Sequence, residues 1–362
     1  MSVSLHTPVC SLLGCDYPII QTAMGWVADA RLVAAVGDAG GFGFLAAATL
    51  STAQLEAEIE RLHGLSTRPF GINFHMFQAN AQQVLALIIK HRVRAASYGR
   101  GADPRCIEQL KQAGVVCLPT VGATRHALKA VAMGADGVIV QGAEGGGHTG
   151  AVPTSLLLPQ VLDAVQVPVI AAGGLHEGRG LAAALAAGAQ GIAMGTRFLL
   201  TEESPVPLQT LAHYLRVVDA GEIRVSSAVD GLPQRLIDNA VLQRLEQSSR
   251  ARRSWQALAG AWAFQRASGL GLLASLKTAL SLLRRDRRSV LQTLGTARGA
   301  YLISQSLREG RPEHGLLPSG QVAACITQLQ SCAEVIDSIV VQATQRLAAV
   351  QGWMAPNLEV RV

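Results

Sequence analysis

The stretch from Val169 to Arg197, VIAAGGLHEGRGLAAALAAGAQGIAMGTR, decides the fold of this 362-residue chain. It contains two short apolar runs, each followed at once by glycine, and between them an alanine-rich segment with helical periodicity. A strand, a tight turn, a helix and a second strand in this order form the βαβ unit of a parallel sheet. The stretch therefore predicts an α/β protein.

The same pattern repeats along the chain between Pro18 and Leu200. We predict eight strands, at Ile19–Gln21, Phe42–Ala46, Phe70–Phe74, Arg94–Ser97, Val115–Thr120, Gly137–Gln141, Val169–Ala172 and Gly191–Gly195. Helices are predicted between them, at Ala30–Ala39, Ala53–Leu62, Ala79–His91, Arg105–Gln112, Thr124–Ala132, Leu156–Ala164 and Gly178–Ala187. Several of these helices are followed by the glycine expected at a helix C-terminus, namely Gly40, Gly114, Gly134 and Gly188.

Two architectures are compatible with eight parallel strands, a closed (β/α)₈ barrel and an open doubly wound sheet. A doubly wound dinucleotide-binding sheet carries its glycine fingerprint after the first strand, but here the chain continues as Thr22-Ala23-Met24-Gly25-Trp26. The glycine motifs instead follow the sixth, seventh and eighth predicted strands. We therefore predict a TIM barrel.

Composition excludes several classes of protein. Hydrophobic residues make up 49% and charged residues 15% of the chain, which argues against disorder, coiled coils and fibrous repeats. The net charge of +6 is not accompanied by the mixture of aromatic and basic residues typical of nucleic-acid binding. No secretory signal and no apolar run of roughly 20 residues is present, so we expect neither export nor membrane insertion. The six cysteines are scattered, and we expect reduced thiols and a cytoplasmic location.

The sequence changes character after Ser204-Pro205-Val206-Pro207. From Leu208 to about Gly295 the strand pattern disappears and helical segments with clustered arginines follow. We expect three parts: a barrel at 1–205, a helical, arginine-rich lid or substrate domain at 206–295, and a helical segment at 296–362 that packs back on the barrel. The arginines form either a solvated helix face or a cationic rim for a phosphorylated ligand such as coenzyme A. They are Arg250, Arg252, Arg253, Arg284, Arg285, Arg287 and Arg288.

Glycine turns end the last two barrel strands, with Gly173-Gly174 after strand seven and Gly195-Thr196 after strand eight. The loops after these strands commonly form a phosphate site in (β/α)₈ enzymes. Glycine lets backbone N–H groups approach phosphate oxygens, and the Thr196 hydroxyl is a further donor. Taken singly, each turn would be explained by tight chain reversal. Together and in this order, they favour a phosphate-binding role.

Strand six leads into a loop in which Gly145, Gly146 and Gly147 precede His148. Such a run is entropically costly, so we expect a flat group to lie against its backbone. An imidazole at the mouth of a barrel can remove a proton from an acidic carbon, and we predict that His148 is the general base. Glu144 either orients this histidine or caps the next helix.

Strand three ends at Asn73, whose amide either bonds a ligand heterocycle or only its own turn. Gln21, Met24 and Gly25 lie at the same height after strand one. The sequence contains no HExxH metal motif, no Gly-x-Ser-x-Gly elbow and no Walker sequence. A phosphate clamp, a glycine-lined pocket and one base without these motifs indicate that a cofactor carries out redox chemistry, and we predict FMN.

At these residues the sequence resembles the nitronate monooxygenase (2-nitropropane dioxygenase-like) family, which includes barrel-type flavin-dependent enoyl-[acyl-carrier-protein] reductases. The resemblance covers residues 1–205 and implies FMN at the carboxyl ends of the strands. It implies that the isoalloxazine and ribityl chain are lined by Met24, Gly25, Asn73 and Gln141. The remaining ribityl and phosphate contacts would come from Gly147, Gly173, Gly174, Gly195 and Thr196. His148 would match the family's base. The segments that carry the resemblance are Pro18–Gly25, Pro69–Asn73, Gln141–Gly150, Ala171–Gly174 and Met194–Phe198.

Val229–Arg235 and Leu317–Val322 resemble a bacterial branch of the family linked to steroid ring degradation. The second segment contains Gln321, a further candidate cofactor-binding residue. This resemblance implies the oxidation of a bicyclic keto acyl-CoA to its α,β-unsaturated product. The loop departs from the reductases, which tend to have alanine at the first or second glycine of Gly145-Gly146-Gly147.

Four functional hypotheses remain open at this stage. The first is the acyl-CoA dehydrogenase, in which His148 removes the α-proton and flavin N5 accepts the β-hydride. The second is a nitronate monooxygenase that uses oxygen, and the third an NAD(P)H-dependent enoyl or quinone reductase. The fourth is a binding module without catalysis. We expect a small-molecule substrate, a CoA thioester or a nitronate, and a homodimer as the default assembly.

Overall fold

The computed structural model describes residues 5–99, 102–248 and 287–353, and these residues contain a closed barrel of eight parallel strands. The barrel strands are β1 (Ile19–Gln21), β2 (Phe42–Ala46), β3 (Gly71–Asn73), β4 (Ala95–Tyr98), β5 (Val116–Val121), β6 (Val138–Gln141), β8 (Val169–Ala172) and β9 (Gly191–Met194). Pairing of β1 with β9, in which Ile19 lies opposite Ile192, closes the sheet. The predicted TIM barrel is confirmed, and no predicted strand end is wrong by more than one residue.

Helices connect consecutive barrel strands. They are α2 (Ala30–Asp38), α3 (Thr52–Leu65), α4 (Ala81–Lys90), α5 (Pro104–Gln112), α6 (Thr124–Ala132), α7 (Thr154–Leu162) and α8 (Gly178–Ala186). The predicted turn glycines all have positive φ, from 74° at Gly114 to 102° at Gly188, which explains why glycine ends these segments. Before the barrel, α1 (Pro8–Leu13) buries Val9, Cys10 and Leu13.

The interior of the barrel is filled by aromatic and aliphatic side chains. Phe42 and Phe44 pack edge to face with ring centroids 5.2 Å apart. Gly71 on the neighbouring strand makes room for them, because a Cβ there would lie 2.3 Å from the Phe44 ring. The buried side chains of α1 belong to the same cluster, so this helix closes the end of the barrel opposite the strand carboxyl ends.

Three strands occur where the sequence analysis expected none. β10 (Ile223–Ser226) and β11 (Gln234–Ile237) form an antiparallel hairpin, and β11 also pairs with β7 (Gly147–His148) in the loop after β6. The expectation that strand structure disappears after Leu208 is therefore wrong. All four β11 residues are buried because the strand has a partner on each side. This small sheet attaches the predicted base to a region far along the chain.

The rest of the described chain is mainly helical. It contains α9 (Thr196–Leu199), α10 (Leu208–Leu215), α11 (Ala240–Gln247), α12 (Arg287–Leu307), α13 (Cys332–Trp353) and two 3₁₀ turns, Ala220–Glu222 and Gln321–Cys325. Helix α13 packs against α8 and α2 on the outside of the barrel. The predicted arginine cluster at Arg250, Arg252, Arg253, Arg284 and Arg285 lies outside the described residues.

Candidate active site

A cavity of about 370 Å³ opens at the carboxyl ends of the barrel strands. Ten of the eleven candidate residues line it: Met24, Gly25, Asn73, Gln141, Gly147, His148, Gly173, Gly174, Gly195 and Thr196. Gln321 is not among its lining residues, although its neighbours Gly320 and Val322 are. The Gln321 backbone N–H donates to the Glu144 carbonyl at 3.0 Å. Gln321 thus joins the C-terminal segment to the glycine loop.

The cavity has apolar surface on two sides. Its inner side is formed by the ends of barrel strands, including Phe44 and Ile139. Its outer side includes Trp26 and, from the C-terminal part of the chain, Ile303 and Leu307 of α12. Trp26 has φ of +62°, a left-handed conformation that is uncommon for a bulky residue and often found at functional sites. These side chains provide apolar surface that a planar group can contact.

The three consecutive glycines of the loop are explained by different features of the structure. A Cβ on Gly146 would lie 2.6 Å from the Gly320 nitrogen, and one on Gly145 would lie 2.7 Å from the Gln141 amide. Gly147 has φ of +66°. The run was expected to admit a flat ligand, but at Gly145 and Gly146 it is protein neighbours that require glycine. Close packing of the loop on the C-terminal segment shapes this wall of the cavity.

The turns after β8 and β9 form the polar end of the cavity. Gly173 and Gly174 have φ of +94° and +75°, conformations that strain any side chain. Thr196 is 8% exposed, and its hydroxyl accepts the Gly320 N–H at 2.9 Å. A hydroxyl that accepts one hydrogen bond still has a proton to donate, so Thr196 can bind an anionic oxygen.

Two amide side chains are held in place by neighbours. Asn73 donates to the Ser97 hydroxyl at 3.2 Å, so it bonds the adjacent strand and not its own turn, and its carbonyl oxygen can accept from a ligand. Gln141 donates to the His148 carbonyl at 2.9 Å. Gln141 therefore fixes the backbone of the predicted base as well as lining the cavity.

Glu144 caps a helix. Its carboxylate accepts the Thr154 backbone N–H at 3.0 Å and the Thr154 hydroxyl at 2.9 Å, at the first residue of α7. This contact favours the capping role over orientation of His148, the other role that the sequence left open for this residue.

The His148 ring contacts a carboxylate, that of Asp230, to which the sequence analysis assigned no role. The His148 Nε2 lies 2.8 Å from the Asp230 carboxylate, and the two side chains are 45% and 1% exposed respectively. Burial acts to raise the pKa of Asp230, but the hydrogen bond and charge of His148 and the Leu232 N–H outweigh it and lower this pKa. A buried, ionised carboxylate thus lies behind an imidazole that lines the cavity.

Two negative findings concern the described ranges only. Within residues 5–99, 102–248 and 287–353, no helix combines the length and apolar character needed to span a bilayer. Among the same residues, no three acidic, histidine or cysteine side chains lie close enough together to ligate a metal.

Comparison with known proteins identifies the family. The model of the family described as nitronate monooxygenase matches residues 6–86 and 75–342. The chain belongs to the nitronate monooxygenase family. Family membership makes the protein an oxidoreductase and implies a flavin cofactor.

Individual relatives of this nitronate monooxygenase-family chain cover nearly its whole length. It is 45% identical over 346 residues to "(3aS,4S,5R,7aS)-5-hydroxy-7a-methyl-1-oxo-octahydro-1H-indene-4-carboxyl-CoA dehydrogenase" of Mycobacterium tuberculosis, covering 95% of this chain and 97% of that protein. A protein of the same name from Rhodococcus jostii is 43% identical, with coverage of 96% and 98%. The solved structure of nitroalkane oxidase from Streptomyces ansochromogenes is 26% identical, with a TM-score of 0.75 and coverage of 94% and 99%.

The cavity fits the flavin that the nitronate monooxygenase family implies. A flavin needs an apolar face for its ring, amides for the ring edge and backbone donors for a charged tail. Phe44 and Ile139 at the barrel end supply the apolar face, and Asn73 supplies an amide. The glycine turns and Thr196 supply hydrogen-bond donors for the charged tail.

Proposed function

We propose that the protein is an FMN-dependent dehydrogenase that introduces an α,β double bond into a bicyclic keto acyl-CoA derived from a steroid. The observation that carries this proposal is the His148–Asp230 pair, 2.8 Å apart, at the edge of a cavity with a polar and an apolar end. Such a pair is suited to removing a proton from carbon. The two relatives named as indene-carboxyl-CoA dehydrogenases support the substrate class.

FMN bound in this cavity would supply the acceptor for the two electrons that leave the substrate. Its phosphate would be held at the polar end of the cavity by Gly173, Gly174, Gly195 and Thr196. Glu144 also lines the cavity, and its carboxylate is hydrogen-bonded to Thr154. The ring and ribityl chain would contact the loop after β1 and the strand ends, through Met24, Gly25, Asn73, Gln141 and Gly147. Gln321 would support the glycine loop through the hydrogen bond from its backbone N–H to the Glu144 carbonyl.

His148 would take the proton from the carbon next to the thioester carbonyl. Its backbone is fixed by Gln141 and by the β7–β11 pairing, so the imidazole has a defined position relative to the cavity. The apolar outer side, which includes Trp26, Ile303 and Leu307, would hold the hydrocarbon rings and exclude water from the reacting carbon. In this proposal residues 206–295 and the helix that continues from them form the substrate side of the enzyme, and residues 1–205 form the cofactor side.

The test is anaerobic mixing of the purified flavoprotein with the indene-carboxyl-CoA thioester, followed by the flavin absorbance. We expect loss of the oxidised flavin spectrum and formation of the unsaturated thioester. The turnover of His148→Ala should be lower by a factor of roughly 10²–10⁴, because a positioned general base contributes about this factor. The variant should retain its flavin. His176→Ala is the matched control, since His176 lies on the same face of the barrel but does not line the cavity.

A nitronate monooxygenase is the second candidate, favoured by the family and by the similarity to nitroalkane oxidase. In it the same histidine would deprotonate a nitroalkane, and oxygen would reoxidise the flavin. Rapid oxygen uptake with propionate 3-nitronate, together with an unbleached flavin after mixing with the thioester, would favour this candidate over the dehydrogenase.

A further inference from the structure

We infer that Asp230 is a positioning residue that holds the His148 imidazole as its Nε2–H tautomer, so that Nδ1 is the atom that accepts the substrate's proton. The assignment of Nδ1 as the accepting atom rests on the proposed function, whereas the tautomer can be measured independently. The inference names both the basic atom and the residue that selects it.

The argument begins with the proton between the two side chains. Asp230 is 1% exposed and its pKa is lowered, so the carboxylate is ionised and can only accept hydrogen bonds. A contact of 2.8 Å between its Oδ2 and the His148 Nε2 requires a hydrogen, which must therefore be on Nε2. In the neutral imidazole the other nitrogen, Nδ1, then carries the free lone pair.

The position of Asp230 is itself fixed from two sides. Its Oδ1 accepts the Leu232 N–H at 3.1 Å, within a turn where Gly231 has φ of +84°. Helix α12 passes directly over this turn, because a Cβ on Gly295 would lie 2.9 Å from the Asp230 Cα. A carboxylate held this way cannot follow the imidazole if the latter turns, so it selects one ring orientation.

Gln234 faces the same ring nitrogen and competes with Asp230 for it. It lies directly opposite His148 in the β7–β11 pair, and its Nε2 is 3.1 Å from the His148 Nε2. The Gln234 side chain also contributes to the lowered pKa of Asp230. An amide N–H only donates, so this contact on its own would favour an Nε2 without hydrogen. The contact of the same Nε2 with the buried Asp230 carboxylate is shorter, at 2.8 Å, and is charge-assisted, so it decides the tautomer.

The other charged groups around the pair do not compete for it. Arg235 on β11 donates to the Ala143 carbonyl at 2.9 Å and to the Ile223 carbonyl at 3.3 Å. Glu144 is bonded to Thr154. When His148 takes the proton, an Nδ1–H bond forms and the substrate's α carbon–hydrogen bond breaks, with its electron pair delocalised into the neighbouring thioester carbonyl. The imidazolium that results lies next to the Asp230 charge. Asp230 thus both selects the tautomer and stabilises the protonated base.

The experiment is ¹⁵N NMR of histidine side chains in the flavin-loaded enzyme at alkaline pH, with the His148 signals identified by their loss in His148→Gln. We expect a protonated-type shift at Nε2 and an unprotonated-type shift at Nδ1. In Asp230→Asn the two nitrogens should move towards averaged shifts. Asp238→Asn is the matched control, because Asp238 follows the same hairpin but pairs with Arg224, and it should leave the His148 shifts unchanged.

Turnover provides the second readout. Asp230→Asn should lower kcat roughly 10- to 100-fold, the factor that corresponds to a lost charge-assisted hydrogen bond, with KM and flavin affinity changed less than about threefold. A protonated Nδ1 in the native enzyme would overturn the inference even if the variant does not fold. Unchanged His148 shifts in a folded Asp230→Asn would also overturn it. If the shifts behave as expected but the thioester is not oxidised, the tautomer assignment stands and the proposed function fails.

Discussion

The substitution Gly146→Ala tests the close packing between the glycine loop and the C-terminal segment. The new Cβ would lie 2.6 Å from the Gly320 nitrogen and 2.7 Å from the Ser319 carbonyl carbon. Attractive contacts begin at about 3.5 Å, so one of the two backbones must move by nearly 1 Å. Both are backbone, and neither can turn away as a side chain does.

The cost of this movement can be worked from the contacts that it strains. Overpacking costs about 1–3 kcal/mol. The same movement strains two hydrogen bonds that tie the segment to the barrel, Gly320 N–H to the Thr196 hydroxyl and Gln321 N–H to the Glu144 carbonyl. Because residues on both sides line the cavity, we expect the strain to weaken flavin binding by roughly 5- to 150-fold, the factor that corresponds to this energy.

The assay is titration of the flavin-free protein with FMN, followed by flavin fluorescence. Gly150→Ala is the matched control, since Gly150 lies in the same loop and a Cβ there would meet only the Gly122 carbonyl at 3.4 Å. Its dissociation constant for FMN should lie within about twofold of the native value, a smaller change than one strained contact would cause. A Gly146→Ala variant with native affinity and native thermal stability would show that the loop and the segment are not packed as described.

Three further substitutions probe other parts of the site. Thr196→Val should weaken FMN binding about tenfold but riboflavin binding much less, because in the proposed function the lost hydroxyl would donate to the phosphate, and the ratio of the two dissociation constants is the measurement. Glu144→Ala should lower the free energy of unfolding by about 1 kcal/mol through loss of the α7 cap, while the His148 tautomer measured by NMR stays native; a changed tautomer would mean that Glu144 does orient the base. Since the folded-state pKa of Asp230 is lowered, its contribution to stability is present above its unfolded pKa, near about 4, and is lost as pH falls through the lower folded value. The stability difference between native protein and Asp230→Asn in acid denaturation should therefore shrink below about pH 4, and a difference that grows there would contradict the assigned ionisation.

The sequence predicted the barrel because its strands are buried on both faces and appear as continuous apolar runs. β2 and β8 have the predicted ends, and β8 stops at Gly173, whose positive φ the next turn requires. The cavity residues followed from the same reasoning, since the carboxyl ends of parallel strands meet at one end of a barrel. Local pattern was sufficient for both.

The base's partner could not be found in this way, because Asp230 is 82 residues from His148 and the contact depends on a hairpin in a region that appeared helical. A signal was present nonetheless. Asp230-Gly231 is a turn-forming pair between Ile223–Ser226, which alternates in polarity, and the apolar end of Gln234–Ile237. The abundance of arginine and leucine around it obscured the short strands. Glu144 was ambiguous for a different reason, since the choice between capping and catalysis depends on where its carboxylate points.

The hairpin also explains why chemistry at this site depends on the C-terminal half of the chain. In the proposed function the barrel provides the cofactor side, whereas β11 holds the strand that carries His148 and the turn before β11 carries Asp230. Helix α12 passes over this turn at Gly295 and lines the cavity at Ile303 and Leu307, so one helix contacts both Asp230 and the cavity. A substitution at Gly295 that shifts α12 should therefore change both the position of Asp230 and the wall of the cavity formed by Ile303 and Leu307. In the proposed function, the fit of the substrate and the placement of Asp230 are coupled through this helix.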